Sequence, residues 1–221
     1  MSKKLLTLFF ASFALSAMAC GGYADLYPKW SIGVIGYGHF VMPHEGLMHS
    51  YALPGVQFTH GNGVWAQRVA VEYTKRTSTP TDIFYGGNDI LYATGYERRT
   101  LIRAGVERGW FLHRLFRPYA AVDLAGQFSR SDMYLSGGIA GFNQREEYDT
   151  KGIGLLPAIG FKTFIGKRIS IYAEYRAEAF LNDVDTKITY YNGNVDSRPT
   201  SETKFDFRLG TIGLAGVQVM F

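Results

Sequence analysis

Every second residue back from the C-terminus gives Phe221, Val219, Val217, Ala215, Gly213, Thr211, Leu209, Phe207 and Phe205. The positions between include Asp206, Arg208, Gly210, Gly216 and Gln218. A period of two is that of a strand with one apolar and one polar face. Seven earlier segments repeat the pattern. They run over about 29–41, 50–59, 64–76, 91–110, 118–130, 148–164 and 169–181, which predicts eight strands. The second is the weakest, because Pro54 removes a ladder donor. In the seventh, Ile169, Ile171, Ala173, Tyr175, Ala177, Ala179 and Leu181 alternate with Ser170, Tyr172, Glu174, Arg176 and Glu178.

The connections alternate as well. After strands one, three, five and seven come polar stretches at 42–49, 77–90, 131–147 and 182–202. After strands two, four and six come short links, among them His60-Gly61-Asn62-Gly63 and Gly166-Lys167, where Asn and Gly tolerate a tight turn. Short turns at one end and long loops at the other are the habit of transmembrane β-barrels with both termini in the periplasm. The expected fold is therefore an all-β, eight-stranded antiparallel transmembrane barrel with short periplasmic turns and long extracellular loops.

The polar faces carry Arg68, Glu72, Glu97, Arg99, Arg103, Glu107, Asp123, Glu174, Arg176, Glu178, Asp206 and Arg208. Turned toward lipid, such charges cost up to about 4 kcal/mol for Arg or Lys at the midplane. Turned into a lumen narrow enough to be filled by side chains, they can pair. This predicts a charge network inside and the apolar stripes outside. A secreted lipocalin-like barrel would reverse the faces and expose the Ile169–Leu181 stripe to water. Aromatic residues near strand ends suggest two interfacial girdles: Trp30, Trp110, Phe111, Phe116, Tyr119 and Phe221 at the periplasmic rim, and Tyr73, Tyr92, Tyr96, Phe128 and Phe205 at the outer rim.

The N-terminus changes the compartment. Lys3 and Lys4, an apolar run from Leu5 to Leu15, and Ala17-Met18-Ala19 have the order of a secretory signal peptide. Residues 1–19 are read as that signal, 20–28 as a short lead and 29–221 as the barrel domain. Cys20, the sole cysteine, is the candidate for lipidation, although Ala17 stands where such signals usually carry Leu. Removing Lys3 and Lys4 from the 23 basic residues leaves 21 against 19 acidic ones, a net charge of +2, and no basic block suggests nucleic acid. The 26 Gly, 15 Tyr and 16 Phe suit a membrane barrel.

With these features, the chain resembles the small OmpA/OmpX-type outer-membrane β-barrel family over nearly the whole mature length. Its last eight residues, Leu214 to Phe221, resemble the C-terminal signal read by the barrel-assembly machinery. Gly216, Val219 and Phe221 match that signal, while Leu214 departs from its usual polar residue. The resemblance implies the outer membrane of a Gram-negative bacterium, with outer-membrane lipid and the assembly machinery as partners and a monomeric state.

Chemistry is harder to find. None of His39, His44, His49, His60 and His113 has a Ser two residues on, so the His-x-Ser arrangement of lipid A deacylases is absent. His39, His44 and His49 are spaced five apart, which does not place them on one strand face, and no metal or other cofactor is expected. Omptin-type proteases normally have ten strands and a longer chain. The leading expectation is a non-enzymatic barrel with a closed or narrow charge-paired lumen and a structural or surface-interaction role. The alternatives are a narrow porin-like channel for small solutes and a lipid-modifying enzyme. The long loops, rich in Tyr, Asn and Gly, are the candidate surface for an extracellular ligand.

Overall fold

In the computed structural model the third, fifth, sixth, seventh and eighth strands run well past the apolar segments that predict them. They are β1 (Trp30–His39), β2 (Gly55–Gly61), β3 (Trp65–Tyr85), β4 (Asp89–Gly109), β5 (Phe116–Gly137), β6 (Phe142–Ile165), β7 (Ile169–Tyr190) and β8 (Asp196–Met220). The structure describes residues 29–39, 55–61, 64–85, 89–110, 115–137, 142–191 and 196–221. At 37–39, 76–85, 89–93, 142, 196, 198 and 208–214 only the backbone is described.

Each strand pairs antiparallel with its neighbours in the chain, and β1 pairs with β8 from Ser31↔Met220 to His39↔Ile212, so the sheet closes into a barrel. Closure removes the two free edges that an open sheet would expose. The seam is tied at its end by Phe221 N–H donating to Trp30 O at 2.9 Å and Trp30 N–H donating to Phe221 O at 3.2 Å. The short links after β2, β4 and β6 lie at this same end. Gly166, with φ of +69°, opens the last of them, which Ile165↔Ile169 pairing closes.

The segments expected as loops at 77–90, 131–147 and 182–202 are largely strand. The β3–β4 ladder continues to Tyr85↔Asp89, β5–β6 to Gly137↔Phe142 and β7–β8 to Tyr190↔Asp196. These three connections are thus two-stranded ribbons, and the fourth expected loop, 42–49, lies outside the described residues. Their ladders satisfy backbone polar groups that irregular loops would leave to water. Strands β3 to β8 have 21 to 25 residues. At about 3.3 Å per residue and a tilt near 45°, such strands rise roughly 50 Å, about twice a bilayer's apolar band.

The outward apolar stripe is shorter than the strands. It covers Phe116–Phe128 on β5, Ile153–Ile165 on β6 and Ile169–Leu181 on β7, with Ile159 and Ile153 both 64 % exposed. Thirteen residues rise roughly 28 Å at the same tilt, matching such a band. Beyond it the outward positions turn polar, at Arg130, Lys151 and Asp183.

Candidate functional site: the barrel interior

Strand phase puts Arg68 and Glu72 (β3), Arg103 and Glu107 (β4), Asp123 (β5) and Glu174, Arg176 and Glu178 (β7) inside the barrel, each at most 3 % exposed. Arg68 donates from Nε and Nη2 to the two carboxylate oxygens of Asp123 at 2.7 and 2.8 Å, and from Nη1 to Glu174. Arg103 donates to Glu72 at 2.7 Å, Asp123 at 2.6 Å and Gln57 at 2.7 Å. Arg176 reaches Glu72 at 3.1 Å and Glu178 at 3.2 Å, and the half-buried Arg99 donates to Glu178 at 2.8 Å. Seven of these eight buried residues and Arg99 thus form one chain of shared ion pairs, Glu174–Arg68–Asp123–Arg103–Glu72–Arg176–Glu178–Arg99. Paired oppositely charged groups tolerate burial that lone charges do not.

Glu107, the eighth, belongs to a second cluster nearer the short turns. Lys162 (β6) donates to both its carboxylate oxygens, at 2.6 and 2.8 Å, and Arg117 (β5) lies 3.4 Å from it. Neither Lys162 nor Arg117 stands out in the sequence. Glycines at 152, 154 and 160 blur the alternation of β6, and Arg117 falls in the stretch that reads as the link before the fifth strand. With them, the two clusters hold six cations (Arg68, Arg99, Arg103, Arg117, Lys162, Arg176) against five carboxylates (Glu72, Glu107, Asp123, Glu174, Glu178).

Tyr119 also lies inside. It is 2 % exposed, not at a rim, and its hydroxyl donates to Glu174 at 3.0 Å. The phase of its own strand, with Val122, Leu124 and Phe128 outward, requires this; proximity to a strand end is the misleading cue. Trp30, Trp110, Phe116 and Phe221 do line the outside near the short turns, at 52, 45, 38 and 69 % exposure. Tyr73, Phe128 and Phe205 do so at the other margin. Phe111 and the side chain of Tyr92 lie outside the described residues.

Glu97 and Asp206 lie beyond the Arg99 end of the ion-pair chain. With Arg99, Gln127 and Lys204 they line a cavity of about 350 Å³ that opens toward the ribbons. A smaller cavity of about 40 Å³, lined by Ser31, Arg117 and Lys162 among others, opens at the short-turn end. The charge clusters lie between the two, packed against an apolar layer of Leu101, Ala125, Leu156 and Phe180. The side chain of Arg208 and all of Cys20 and the 1–19 segment lie outside the described residues.

Among the C-terminal residues, Val219 and Phe221 face outward and Gly216 faces inward. A Cβ on Gly216 would lie 2.5 Å from the buried Tyr172 ring, so packing alone requires a glycine there. Gly216→Ala is expected to cost about 1–3 kcal/mol through overpacking. Urea unfolding checks this, and Tyr172→Leu in the same chain should recover part of the loss.

Among the described residues the one histidine side chain is His60. The His60 ring stacks at 4.0 Å on Trp30, with Nδ1 3.1 Å from the Lys29 carbonyl. His44, His49 and His113, and the side chain of His39, lie outside the described residues. In the β5–β6 ribbon, Arg145 donates to both carboxylate oxygens of Asp132 at 2.9 and 2.7 Å, holding that carboxyl below its usual range. Burial, helped by the Glu146 carboxylate 2.6 Å away, pushes the Tyr148 hydroxyl up to about 12.

No protein-family model matches the sequence, and no curated protein does. Among solved structures, the fold is similar to a major outer membrane protein of Thermus thermophilus, with a TM-score of 0.51 and 9 % identity, covering 87 % of this chain and 98 % of that one. Neisserial surface protein A aligns at a TM-score of 0.42 and 14 % identity, covering 87 % and 94 %. CarO of Acinetobacter baumannii aligns at 0.42 and 12 %, covering 89 % and 99 %. The Thermus likeness is one of fold.

Proposed function

We propose that this chain is a non-enzymatic barrel of the Gram-negative outer membrane, held shut by its interior ion pairs and acting as a structural or surface-interaction protein through its ribbons. The observation that carries this reading is the inversion of faces. Ionic side chains at most 3 % exposed fill the inside, while Ile159, Leu155, Phe207 and Val217 are 48 to 64 % exposed outside. An apolar belt of this size is rare on a soluble monomer and suits lipid. The Thermus neighbour, itself an outer membrane protein by description, supports the architecture. Outer-membrane lipid is the partner of the belt. Recognition of β8 by the barrel-assembly machinery, through Gly216, Val219 and Phe221, belongs to the same reading.

The two cavities approaching the charge clusters from opposite ends favour one second reading, a narrow channel for small solutes that conducts when the pairs part. Planar-bilayer recording of the refolded protein separates the two. A silent membrane is expected, and steady large conductance overturns the closed lumen.

A further inference from the structure

One group of charges on the outer surface plays no part in the interior network. Lys75 on β3 stands directly opposite Arg98 on β4, and Arg98 directly opposite Arg130 on β5. All three face outward and are exposed. Side chains directly opposite on one face of a sheet are neighbours, and like charges there repel. Lys151 of β6 extends the group, opposite Phe128 and diagonal to Arg130.

Carboxylates reach the β5–β6 end of this row but not its β3–β4 end. No ion pair among the described residues involves Lys75 or Arg98. Arg130 stands directly opposite Asp149 and makes long ion pairs with Glu147 and Asp149, at 3.7 and 3.9 Å, which are weak because its side chain is 55 % exposed. Asp132, the outward acid two residues on from Arg130, is held by Arg145 in a bidentate pair. On β7, Asp183 stands directly opposite Lys151 and Asp185 opposite Asp149, so among the described residues the outward cations at this level lie on β3 to β6.

The position of the row is as informative as its charge. Tyr73 and Phe128, 43 and 52 % exposed, stand one outward position below Lys75 and Arg130, at the end of the apolar belt. Arg98 lies over the Tyr96 ring at 4.7 Å, which holds its guanidinium beside the sheet. A ligand meeting this surface would touch apolar and aromatic side chains with its lower part and three or four cations with its upper part. A phosphate group at the head of a lipid has that arrangement, and guanidinium groups match its oxygens.

We propose that Lys75, Arg98 and Arg130, with Lys151 at their flank, bind the phosphate of an anionic lipid headgroup in the leaflet around the ribbon end of the barrel. The site rests on the membrane reading above and adds a specific lipid class to it. An anion bound among the cations offsets their mutual repulsion, so binding also steadies the β3–β5 sector.

The test uses the full chain refolded in micelles doped with a phosphorylated acylated disaccharide, the same lipid dephosphorylated, or inorganic phosphate. Native mass spectrometry reads retained lipid, and heat-modifiable gel mobility reads the folded barrel. The phosphorylated lipid should bind about tenfold tighter than its dephosphorylated form, since that is what about 1.4 kcal/mol of charge-assisted bonding gives. The variant K75Q/R98Q/R130Q should lose that preference and keep the mobility shift. K167Q/R168Q, at the opposite end, should keep both. Equal retention of the two lipids, an unaffected triple variant, or full competition by inorganic phosphate overturns the lipid site while the mobility shift preserves the barrel. Loss of the mobility shift from the unaltered chain overturns the membrane reading and the site together.

Discussion

Replacing Arg68 with alanine is expected to lower the unfolding free energy by about 3–5 kcal/mol, the cost of breaking a buried ion pair from one side. Arg68 is 1 % exposed and bridges Asp123 and Glu174, which are 0 and 3 % exposed. Without it, Asp123 keeps Arg103 at 2.6 Å and Glu174 keeps the Tyr119 hydroxyl at 3.0 Å. Each carboxylate therefore retains one hydrogen bond but loses a directly paired positive charge. Hydrating the vacated space would ease that loss and link the cavities above and below the clusters. Two readouts should move together: the urea midpoint falls, and conductance steps appear in a bilayer that was silent. Arg99→Ala is the contrast. Its side chain is 22 % exposed where it meets Glu178, so about 1 kcal/mol or less is expected. A change below about 1 kcal/mol for Arg68→Ala would mean that the interior is already wet.

The same residues show what the sequence made legible. Alternation singles out the inward charges of β3, β4 and β7 and Asp123 of β5, because each strand has several strongly apolar outward residues to set its phase. The pairing among them was not legible. Arg68 and Glu174 are 106 positions apart and meet only across the lumen, at a register fixed by barrel closure. Lys162 was hidden because the inward positions of β6 mix Gly154, Leu156, Ala158 and Gly160 with one cation, a composition that reads as apolar on both faces. The ribbons were hidden for a different reason. Residues such as Glu146, Asp149, Asp183 and Lys187 lie above the apolar belt, where both faces of a strand are polar and no alternation remains. Cross-strand pairs such as Arg145 with Asp132 hold the ladder there instead.

Replacing Ile159 with arginine tests what covers the outside. Ile159 is 64 % exposed, six residues from either end of the outward run Ile153–Ile165, and faces Ala120 and Tyr175 across the sheet. If lipid surrounds the barrel, arginine here sits near the bilayer midplane and costs about 2–4 kcal/mol. Ile165→Arg, at the margin beside the short turn, should cost only about 0–1 kcal/mol, because its guanidinium reaches the headgroups. The gradient, measured by urea unfolding from phospholipid vesicles, matters more than either value. In water, both positions are exposed strand residues on the same face, and both substitutions should fall within about 0.5 kcal/mol of the parent. A protein partner covering the belt would penalise both sites according to its own shape, with no reason for the cost to track distance from the strand end. Only an apolar slab flanked by polar layers makes the middle expensive and the edge cheap on the same strand, so equal costs at Ile159 and Ile165 would remove lipid as the solvent of this surface.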